Sequence, residues 1–418
     1  MAANSRKSSG DTSGDVLTAF LHTCRSPTGI PVQGGHVTIG NENVRTYTGE
    51  FWTSRQRQGG SIHEVSYRAC FKPELPRFFI SLLTKQDDVV YDPFSGRGTT
   101  ILEAGLLGRN VIANDANPLS RVLSEPRLTP PRMAAVEKRL KAVPLEGNRA
   151  EIDLSMFYHP KTEQEIVALR EYLLTKREDN EDDAIDRWIA MVATNRLTGH
   201  SKGFFSVYTL PPNQAVSQQS QRKINEKRSQ VPEYRNTRAI ITRKTKSLLR
   251  TLTDDERGNL VRAGEKAVFI SGDARNTAAI PDASIQLTVT SPPFLDIVQY
   301  RDDNWLRCWF NGLDEQAIGK TITMARTLED WTAVMGEVFN ELYRITRPGG
   351  YVAFEVGEVR KRTIRLEEQV LPLGMNAGFS CTCIMINQQD FTKTSNIWGI
   401  SNNKGGTNTN RIVVFRRS

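Results

Sequence analysis

Short apolar runs alternate with amphipathic segments in two parts of the chain, and each run ends at a glycine, proline or aspartate turn. Such runs are typical of buried strands, and the segments between them favour helices. The predicted strands are residues 89–91, 111–113, 268–271, 285–290, 351–356, 381–387 and 411–415. Strands and helices in this order predict an α/β fold, a doubly wound and mostly parallel sheet of about seven strands.

The residues ahead of the first strand carry weaker signals. Residues 1–15 are polar and predict a disordered tail, and Asp15 to Cys24 favours a short helix. Residues 25–50 contain glycine, proline and threonine, and we expect an irregular segment. From Glu74 onward the apolar positions recur at helical spacing, with Pro73 suited to the first turn.

The stretch from residue 120 to 265 breaks the strand–helix rhythm. It is rich in arginine, lysine, glutamate and glutamine, with helical patches at 161–176, 181–197 and 213–250. We interpret it as a largely helical insertion after the second strand. The predicted division is an N-terminal tail and irregular segment (1–50), the α/β domain's first part (51–120), the insertion (121–265) and the domain's second part (266–418).

The positive charge is concentrated in that insertion. The chain has a formal net charge of +8 and a pI of about 9.2, which favours an anionic partner such as nucleic acid. Residues 213–250 hold ten Lys/Arg against Glu226 and Glu233, which alone gives +8. A solvated helix face is the alternative explanation. The candidate DNA contacts are Arg222, Lys223, Lys227, Arg228, Arg235 and Arg238.

The five cysteines predict neither a disulfide framework nor a metal site. Their spacings are loose, without a CxxC pair or a histidine cluster, so we expect reduced thiols and a cytoplasmic, nucleoid-associated protein. Cys381 and Cys383 are two apart and would face the same side of a strand. No run approaches the ~18 apolar residues of a membrane span, and residues 1–15 lack the apolar core of a signal peptide.

A glycine-containing turn, DPFSGRGTT (92–100), follows the first predicted strand. Gly96 and Gly98 allow a tight turn and a close approach to a ligand, while helix N-terminal amides and Thr99 or Thr100 offer donors. A lone GxG is weak evidence, and no Walker lysine follows it, so phosphate binding is not favoured. A purely structural turn is the alternative.

Two aspartates end neighbouring strands. Asp115 ends the second strand, where an acid can accept hydrogen bonds from ribose hydroxyls, although a helix cap is the alternative. Asp273 ends the third strand, where a carboxylate could accept from an adenine amino group; an ordinary turn is again the alternative.

The sharpest signal is Ser-Pro-Pro-Phe at 291–294, after a buried strand. Two prolines make a stiff corner. There the Ser291 hydroxyl and the Pro292 carbonyl can accept from an amino group, and Phe294 can stack on a planar ring. No Pro-Cys turn offers a thiol nucleophile, which argues against carbon-5 methylation of cytosine. A plain strand-end turn is the alternative.

These segments resemble motifs of the amino-methyltransferases that act on DNA bases. DPFSGRGTT and TSPPF are similar to motifs I and IV, and HEVSYRACFKPELPRFFI (63–80) looks like motif X. The order X, I, insertion, IV resembles the alpha arrangement, with the insertion where target recognition would lie. The resemblance covers about 51–120 and 266–418, and it implies the class I methyltransferase fold, whose last strand is antiparallel.

The resemblance also implies a donor and a set of contacts. The donor would be S-adenosylmethionine, the partner double-stranded DNA, and the setting restriction-modification, with a cognate restriction endonuclease as genetic partner. Ser291, Pro292, Pro293 and Phe294 would hold the target base, flipped out of the duplex. A serine in the first position resembles the N4-cytosine group. The residues expected around the donor are Phe71, Pro73, Asp92, Phe94, Gly96, Gly98, Thr99, Thr100, Asp115 and Asp273.

Three alternative functions stay open from the sequence. One is N6-adenine methylation, since a serine in motif IV does not separate the two bases cleanly. Another is an RNA enzyme of the same fold, such as a tRNA N2-guanine methyltransferase. The remaining one is a non-catalytic DNA-binding protein on this scaffold, which the presence of the glycines, Asp115 and Ser291–Phe294 disfavours. The oligomeric state, monomer or dimer, is not determined by the sequence.

Overall fold

The computed structural model describes residues 16–24, 31–52, 59–67, 70–210, 215–293, 300–321, 327–359, 364–389 and 408–418. The strands are β1 (Gln33–Ile39), β2 (Glu42–Gly49), β3 (Val89–Asp92), β4 (Asn110–Asn114), β5 (Val268–Ile270), β6 (Ile285–Thr290), β7 (Thr346–Val356), β8 (Glu358–Val359), β9 (Ile364–Arg365), β10 (Ser380–Gln389) and β11 (Asn408–Arg416).

The helices are α1 (Val16–Thr23), α2 (Glu74–Leu83), α3 (Thr99–Leu106), α4 (Leu119–Ser124), α5 (Met133–Ala142), α6 (Pro160–Glu178), α7 (Ala184–Thr194), α8 (Gln218–Arg228), α9 (Thr237–Leu249), α10 (Asp254–Lys266), α11 (Tyr300–Asn311), α12 (Glu315–Thr321), α13 (Leu328–Ile345) and α14 (Leu366–Asn376). Short 3-10 turns lie at Ser61–His63 and Glu125–Leu128. None of these helices is long and apolar enough to cross a membrane.

The main sheet has the strand order β1-β2-β10-β11-β7-β6-β3-β4-β5. Strands β5, β4, β3, β6 and β7 are parallel neighbours, and β11 is antiparallel to both β7 and β10. This is the predicted class I methyltransferase arrangement, so the fold class is confirmed. Because β3, β4, β5 and β6 are parallel, the turns after them lie on one edge of the sheet, where ligands bind in such folds.

Two strands that the sequence analysis missed extend this sheet. Residues 33–49 form an antiparallel hairpin, β1–β2, and β2 pairs with β10 in parallel, which brings the main sheet to nine strands. The prediction of an irregular segment is therefore wrong for these residues. Gly40 turns the hairpin with a φ of 58°, a conformation that glycine adopts without strain.

The insertion shares one hydrophobic core with the sheet. Phe157, Trp188 and Ile241 from the insertion belong to the same buried cluster as Val90 of β3 and Leu287 of β6. The predicted helical patches are confirmed as α6, α7, α8 and α9, with α10 leading into β5. The insertion is thus packed onto the sheet through apolar contacts and is not held by its two chain connections alone.

The five cysteines are free thiols, in agreement with the prediction. The expectation that Cys381 and Cys383 face the same side is wrong. The register of β10 against β11 shifts between them, and Cys383 packs into the core on one face while Cys381 contacts the core on the other. A β-bulge adds one residue to a strand, which reverses the facing of the side chains beyond it.

Candidate active site

The glycine turn and the Ser-Pro-Pro corner lie side by side at the carboxyl edge of the sheet. Strand β3 pairs in parallel with β6, and the Thr290 hydroxyl donates to Asp92 Oδ1 at 2.7 Å. Below this contact, the Thr100 hydroxyl donates to the Val289 carbonyl at 3.0 Å. The sequence segments predicted to share one cleft are therefore direct neighbours.

Asp92 is a buried carboxyl group with one unused oxygen. Its Oδ1 accepts from Thr290 and from the backbone N–H of Phe94, whereas Oδ2 has no hydrogen-bond partner among the described residues. Burial raises the pKa of Asp92 to about 7, against these hydrogen bonds. A buried acceptor without a partner calls for an explanation, and at a strand end a ligand's donor group is one.

The two glycines of the turn have different physical roles. Gly96 has a φ of 51° and lies in ordinary contact with the Tyr67 ring, so its position depends on backbone conformation. Gly98 has a φ of 76°, and a Cβ there would lie 2.5 Å from Ser124 Cβ. Gly98 thus allows α3 and α4 to approach closely. The sequence analysis had assigned this glycine only to contact with the methyl donor.

Thr99 and Thr100 hold the start of α3 in place. Both are buried. The Thr99 hydroxyl accepts from Arg97 Nε at 3.2 Å, and the Thr100 hydroxyl is bound to the Val289 carbonyl. The Thr100 hydroxyl therefore already donates internally, whereas the Thr99 hydroxyl accepts and keeps its own hydrogen for donation.

Asp115 fixes the conformation of the glycine turn. Its Oδ2 accepts from the backbone N–H of Gly96 at 2.7 Å, and its Oδ1 accepts from that of Asn117 at 2.8 Å. The side chain is half-buried, and burial raises its pKa to about 6 despite the two hydrogen bonds. Each oxygen retains a lone pair, so Asp115 can hold the turn and accept from a ligand hydroxyl.

The segment before α2 forms a wall beside the glycine turn. Arg97 donates to the carbonyls of Val65 and Phe71 at 3.2 and 3.5 Å. Pro73 is buried and is the residue just before α2. Tyr67, which the sequence analysis did not single out, lies against Gly96 and accepts from Asn117 Nδ2. An aromatic residue just ahead of Phe71 was the available signal.

Asp273 lies after β5 but is already paired. Both of its carboxylate oxygens accept from the Arg275 guanidinium at 2.6 to 3.0 Å, and this partner lowers its pKa. A ligand amino group would have to share these oxygens with Arg275. Phe94, half-buried between Asp92 and the glycines, packs against the core of the β7–α13 side.

The corner at 291–293 is anchored from two sides. The Pro293 carbonyl accepts from Trp331 Nε1 at 3.0 Å, and the Ser291 hydroxyl donates to Glu355, a buried carboxyl group at the end of β7. Phe294 lies outside the described residues. The sequence analysis missed Glu355 because YVAFEV (351–356) has the pattern of an ordinary buried strand. The acidic residue among its apolar neighbours was the sign that could have drawn attention to it.

The basic residues of the insertion fall into two groups. Arg222, Lys223, Lys227 and Arg228 are exposed on α8; Arg222 pairs with Asp153 at 2.5 Å, and the Arg228 guanidinium lies 3.8 Å from the Tyr208 ring centre.

The other two candidates, Arg235 and Arg238, are directed inward. Arg235 donates to the carbonyls of Ser201 and Phe204, and Arg238 to that of Val143 at 2.5 Å. Burial lowers the pKa of Arg235. These two half-buried arginines hold parts of the insertion together, so the four exposed cations of α8 are the more accessible of the six predicted DNA contacts.

Comparisons with known proteins find similarity to DNA methylases in the first part of the chain. Residues 13–119 match a family model described as DNA methylase, N6/N4 type. The Type II methyltransferase M.BsoBI of Geobacillus stearothermophilus is 33% identical over 88 residues, which cover 21% of this chain and 17% of the relative. M.MvaI of Kocuria varians is 37% identical over 67 residues, 15% of each chain. The chain thus aligns with less than a fifth of each relative.

Solved structures give weaker matches. TTHA0409 of Thermus thermophilus, solved with S-adenosyl-L-methionine, is 22% identical over 35% of this chain and 51% of its own, with a TM-score of 0.22. A SAM-dependent methyltransferase of Methanosarcina mazei is 10% identical over 81% of this chain and 96% of its own, with a TM-score of 0.31. The strand order carries the fold assignment, and the match over residues 13–119 agrees with the predicted resemblance to DNA amino-methyltransferases.

Proposed function

We propose that this protein transfers a methyl group from S-adenosylmethionine to the exocyclic N4 of cytosine in double-stranded DNA. The observation that carries the proposal is the hydrogen bond between Thr290 and Asp92, which joins the glycine turn to the Ser-Pro-Pro corner. A donor on the first and a base on the second would meet at one edge of the sheet. Positioning of this kind is the main requirement for direct transfer.

The donor side is formed by carboxylates and a glycine. Asp92 Oδ2 is the free acceptor for the donor's ammonium group, and the left-handed turn at Gly96 would wrap its methionine part. Asp115 accepts from the ribose hydroxyls while holding the N–H of Gly96. When bound, the donor supplies an electrophilic methyl group on a positively charged sulfur.

The acceptor side is formed by Ser291 and the Pro292 carbonyl. Both can accept from an amino group, which would favour a pyramidal and more nucleophilic nitrogen. The base must leave the helical stack to reach them, at a cost of a few kcal/mol. Phosphate contacts from the exposed cations of α8 would offset that cost. The serine, in a family with N6 and N4 members, favours cytosine over adenine.

The test is incorporation of label from S-adenosylmethionine into genomic DNA, followed by nucleoside analysis. We expect N4-methylcytosine; N6-methyladenine would reassign the base, and label in tRNA but not DNA would contradict the proposal. Ser291→Ala should lower turnover about 100-fold with donor affinity unchanged, by analogy with the loss of one preorganised polar contact.

Ser284→Ala is the matched control. Ser284 lies just before β6 in the same loop-and-strand segment, and its hydroxyl is bound to the Pro281 carbonyl, away from the corner. It should retain turnover. Equal turnover of Ser291→Ala and Ser284→Ala would remove Ser291 from the reaction.

A further inference from the structure

A row of polar side chains crosses four adjacent strands at the carboxyl edge of the sheet. It begins at Ser291 after β6, continues with Glu355 on β7 and Asn410 on β11, and ends at Asn387 on β10. Asn410 and Asn387 are direct partners in the strand register. Asn387 in turn accepts from the backbone N–H groups of Phe51 and Trp52. The residues that would touch the base are therefore backed by an ordered polar layer.

Glu355 is the only acid of that row and it is 7% exposed. Asn410 Nδ2 donates to Glu355 Oε1 at 2.5 Å, and the Ser291 hydroxyl donates to the same carboxylate. Burial is the largest influence and raises the pKa of Glu355 to about 7, while the two donors favour the charged form. A buried acid is costly to maintain in a strand without a function.

We infer that Glu355, oriented by Asn410, is a positioning residue that makes the Ser291 hydroxyl an acceptor toward the target amine and receives the proton that the amine releases. This inference deepens the proposed function and rests on it. A free hydroxyl can either donate or accept. Once its hydrogen is directed to a carboxylate, its lone pairs alone face the substrate. A base that presents an amino group is then accepted and one that presents a carbonyl oxygen is repelled.

The proton and electron balance is complete with these groups. The nitrogen–carbon bond forms as the carbon–sulfur bond breaks, and the electron pair of that bond stays on sulfur, which becomes a neutral thioether. The nitrogen, now positively charged, gives a proton to Ser291 Oγ. The original Ser291 hydrogen moves to Glu355, which later releases it to solvent. No oxidant or other reactant is needed.

Other charged groups near Glu355 face elsewhere. Asp92, reached through Thr290 on the neighbouring β6, belongs to the donor side. Arg411, next to Asn410 on β11, pairs with Glu367 of α14 at 2.7 Å and shares its register with Val356, so it projects from the opposite face. Ser291 and Asn410 are therefore the groups whose removal should change Glu355.

The experiment measures single-turnover methylation of genomic DNA at saturating S-adenosylmethionine and DNA from pH 5.5 to 9. For the wild-type protein we expect the rate to fall about tenfold per pH unit below about 7 and to level off above it, because the carboxylate is the active form. Glu355→Gln should lose this acid limb and stay at least about tenfold slower at pH 8. Asn410→Ala should shift this acid limb to higher pH, because the Asn410 hydrogen bond favours the charged form of Glu355.

Two further measurements separate positioning from simple packing. Glu355→Gln should unfold at the same or a higher temperature at pH 8, since it removes a buried charge. In a Ser291→Ala background it should have no further effect on rate, since coupled residues are not additive.

Glu367→Gln is the matched control, a buried acid with an ion-pair partner outside the row. It should melt earlier and keep the acid limb. An unchanged limb in Glu355→Gln, or an equal effect in the Ser291→Ala background, would overturn the inference. Absence of any DNA methylation by the wild-type protein would instead overturn the proposed function.

Discussion

The carboxyl edge of the sheet and the basic insertion differ in how their polar residues are used. At the sheet edge, residues that are far apart in sequence, such as Asp92, Thr290, Ser291 and Glu355, join one another through hydrogen bonds. In the insertion, basic residues that are close in sequence have different kinds of partner. Arg222 is paired with Asp153, and Arg235 is bound to carbonyl groups.

The difference shows that a count of basic residues overestimates how many of them are available to bind phosphates. Lys244 of α9 and Arg250, just after it, both pair with Glu64. Arg243 and Lys246 of α9 are exposed, as are the four cations of α8. At the sheet edge, by contrast, the contacts of the polar residues indicate a functional site. Polar groups at a strand end point to such a site when they are buried, and basic groups point to a binding surface when they are exposed.

The largest effect is expected at the glycine turn. The variant Gly98→Ala tests how closely α3 and α4 pack beside the sheet edge. The new methyl group would lie 2.5 Å from Ser124 Cβ, in a left-handed conformation. We expect a loss of about 3 kcal/mol in the free energy of unfolding, from overpacking and backbone strain together. Denaturant unfolding measures it, and donor affinity should fall with it.

Gly349→Ala separates the two causes. Gly349 has a φ of 77°, nearly that of Gly98, but no atom lies within 4 Å of its added methyl group. Its cost should be only about 1 kcal/mol, the strain alone. Equal losses for the two variants would show that the contact with Ser124 is unimportant. Ser124→Gly should recover part of the loss in Gly98→Ala and none in Gly349→Ala.

A second, smaller effect concerns Asp115 and pH. Because burial raises its pKa to about 6, the carboxylate should be lost as the pH falls through that value. The dissociation constant for S-adenosylmethionine should then rise about tenfold between pH 7 and 5, which corresponds to one hydrogen bond to a charged group. Asp115→Asn should be weak at both pH values. If its affinity still changes between pH 7 and 5, Asp92 and not Asp115 is the titrating group.

The smallest effect is expected on α8, where Lys223→Glu combined with Lys227→Glu tests the exposed cations. The slope of log affinity for duplex DNA against log salt should become shallower by about 2, one unit per lost phosphate contact. Lys138→Glu with Lys141→Glu on α5 makes the same charge change on another exposed helix. An equal change in both pairs would mean that only the overall charge matters.

Seven of the nine strands of the main sheet could be predicted because each has a short, mostly apolar stretch that ends at a turn. The hairpin β1–β2 could not, since β1 is mostly exposed and carries Gly34 and Gly35, which weaken the strand signal. Its two-residue Gly40-Asn41 turn was the one available sign of a hairpin. The bulge between Cys381 and Cys383 has no sequence signature in this strand.

That Asp92, Gly96 and Asp115 lie together after neighbouring strands could also be predicted from their spacing. The partners that tune these residues could not, because they come from other strands. Thr290, Tyr67 and Glu355 become relevant only once the strand order is known. Likewise, nothing in the sequence separates an inward arginine such as Arg235 from an outward one such as Arg228.

The single core that unites sheet and insertion limits how a protein of this architecture can be diversified. A recognition segment joined only by linkers could be exchanged between proteins to give chimeras of new specificity. Here Trp188 and Phe157 of the insertion are fully buried in the core cluster that also holds residues of the sheet, and the Phe157 ring lies 6.1 Å from that of Trp305. A graft that replaced 121–265 alone would leave unmatched apolar surfaces on the host, so the helices and the face that receives them must be transplanted together.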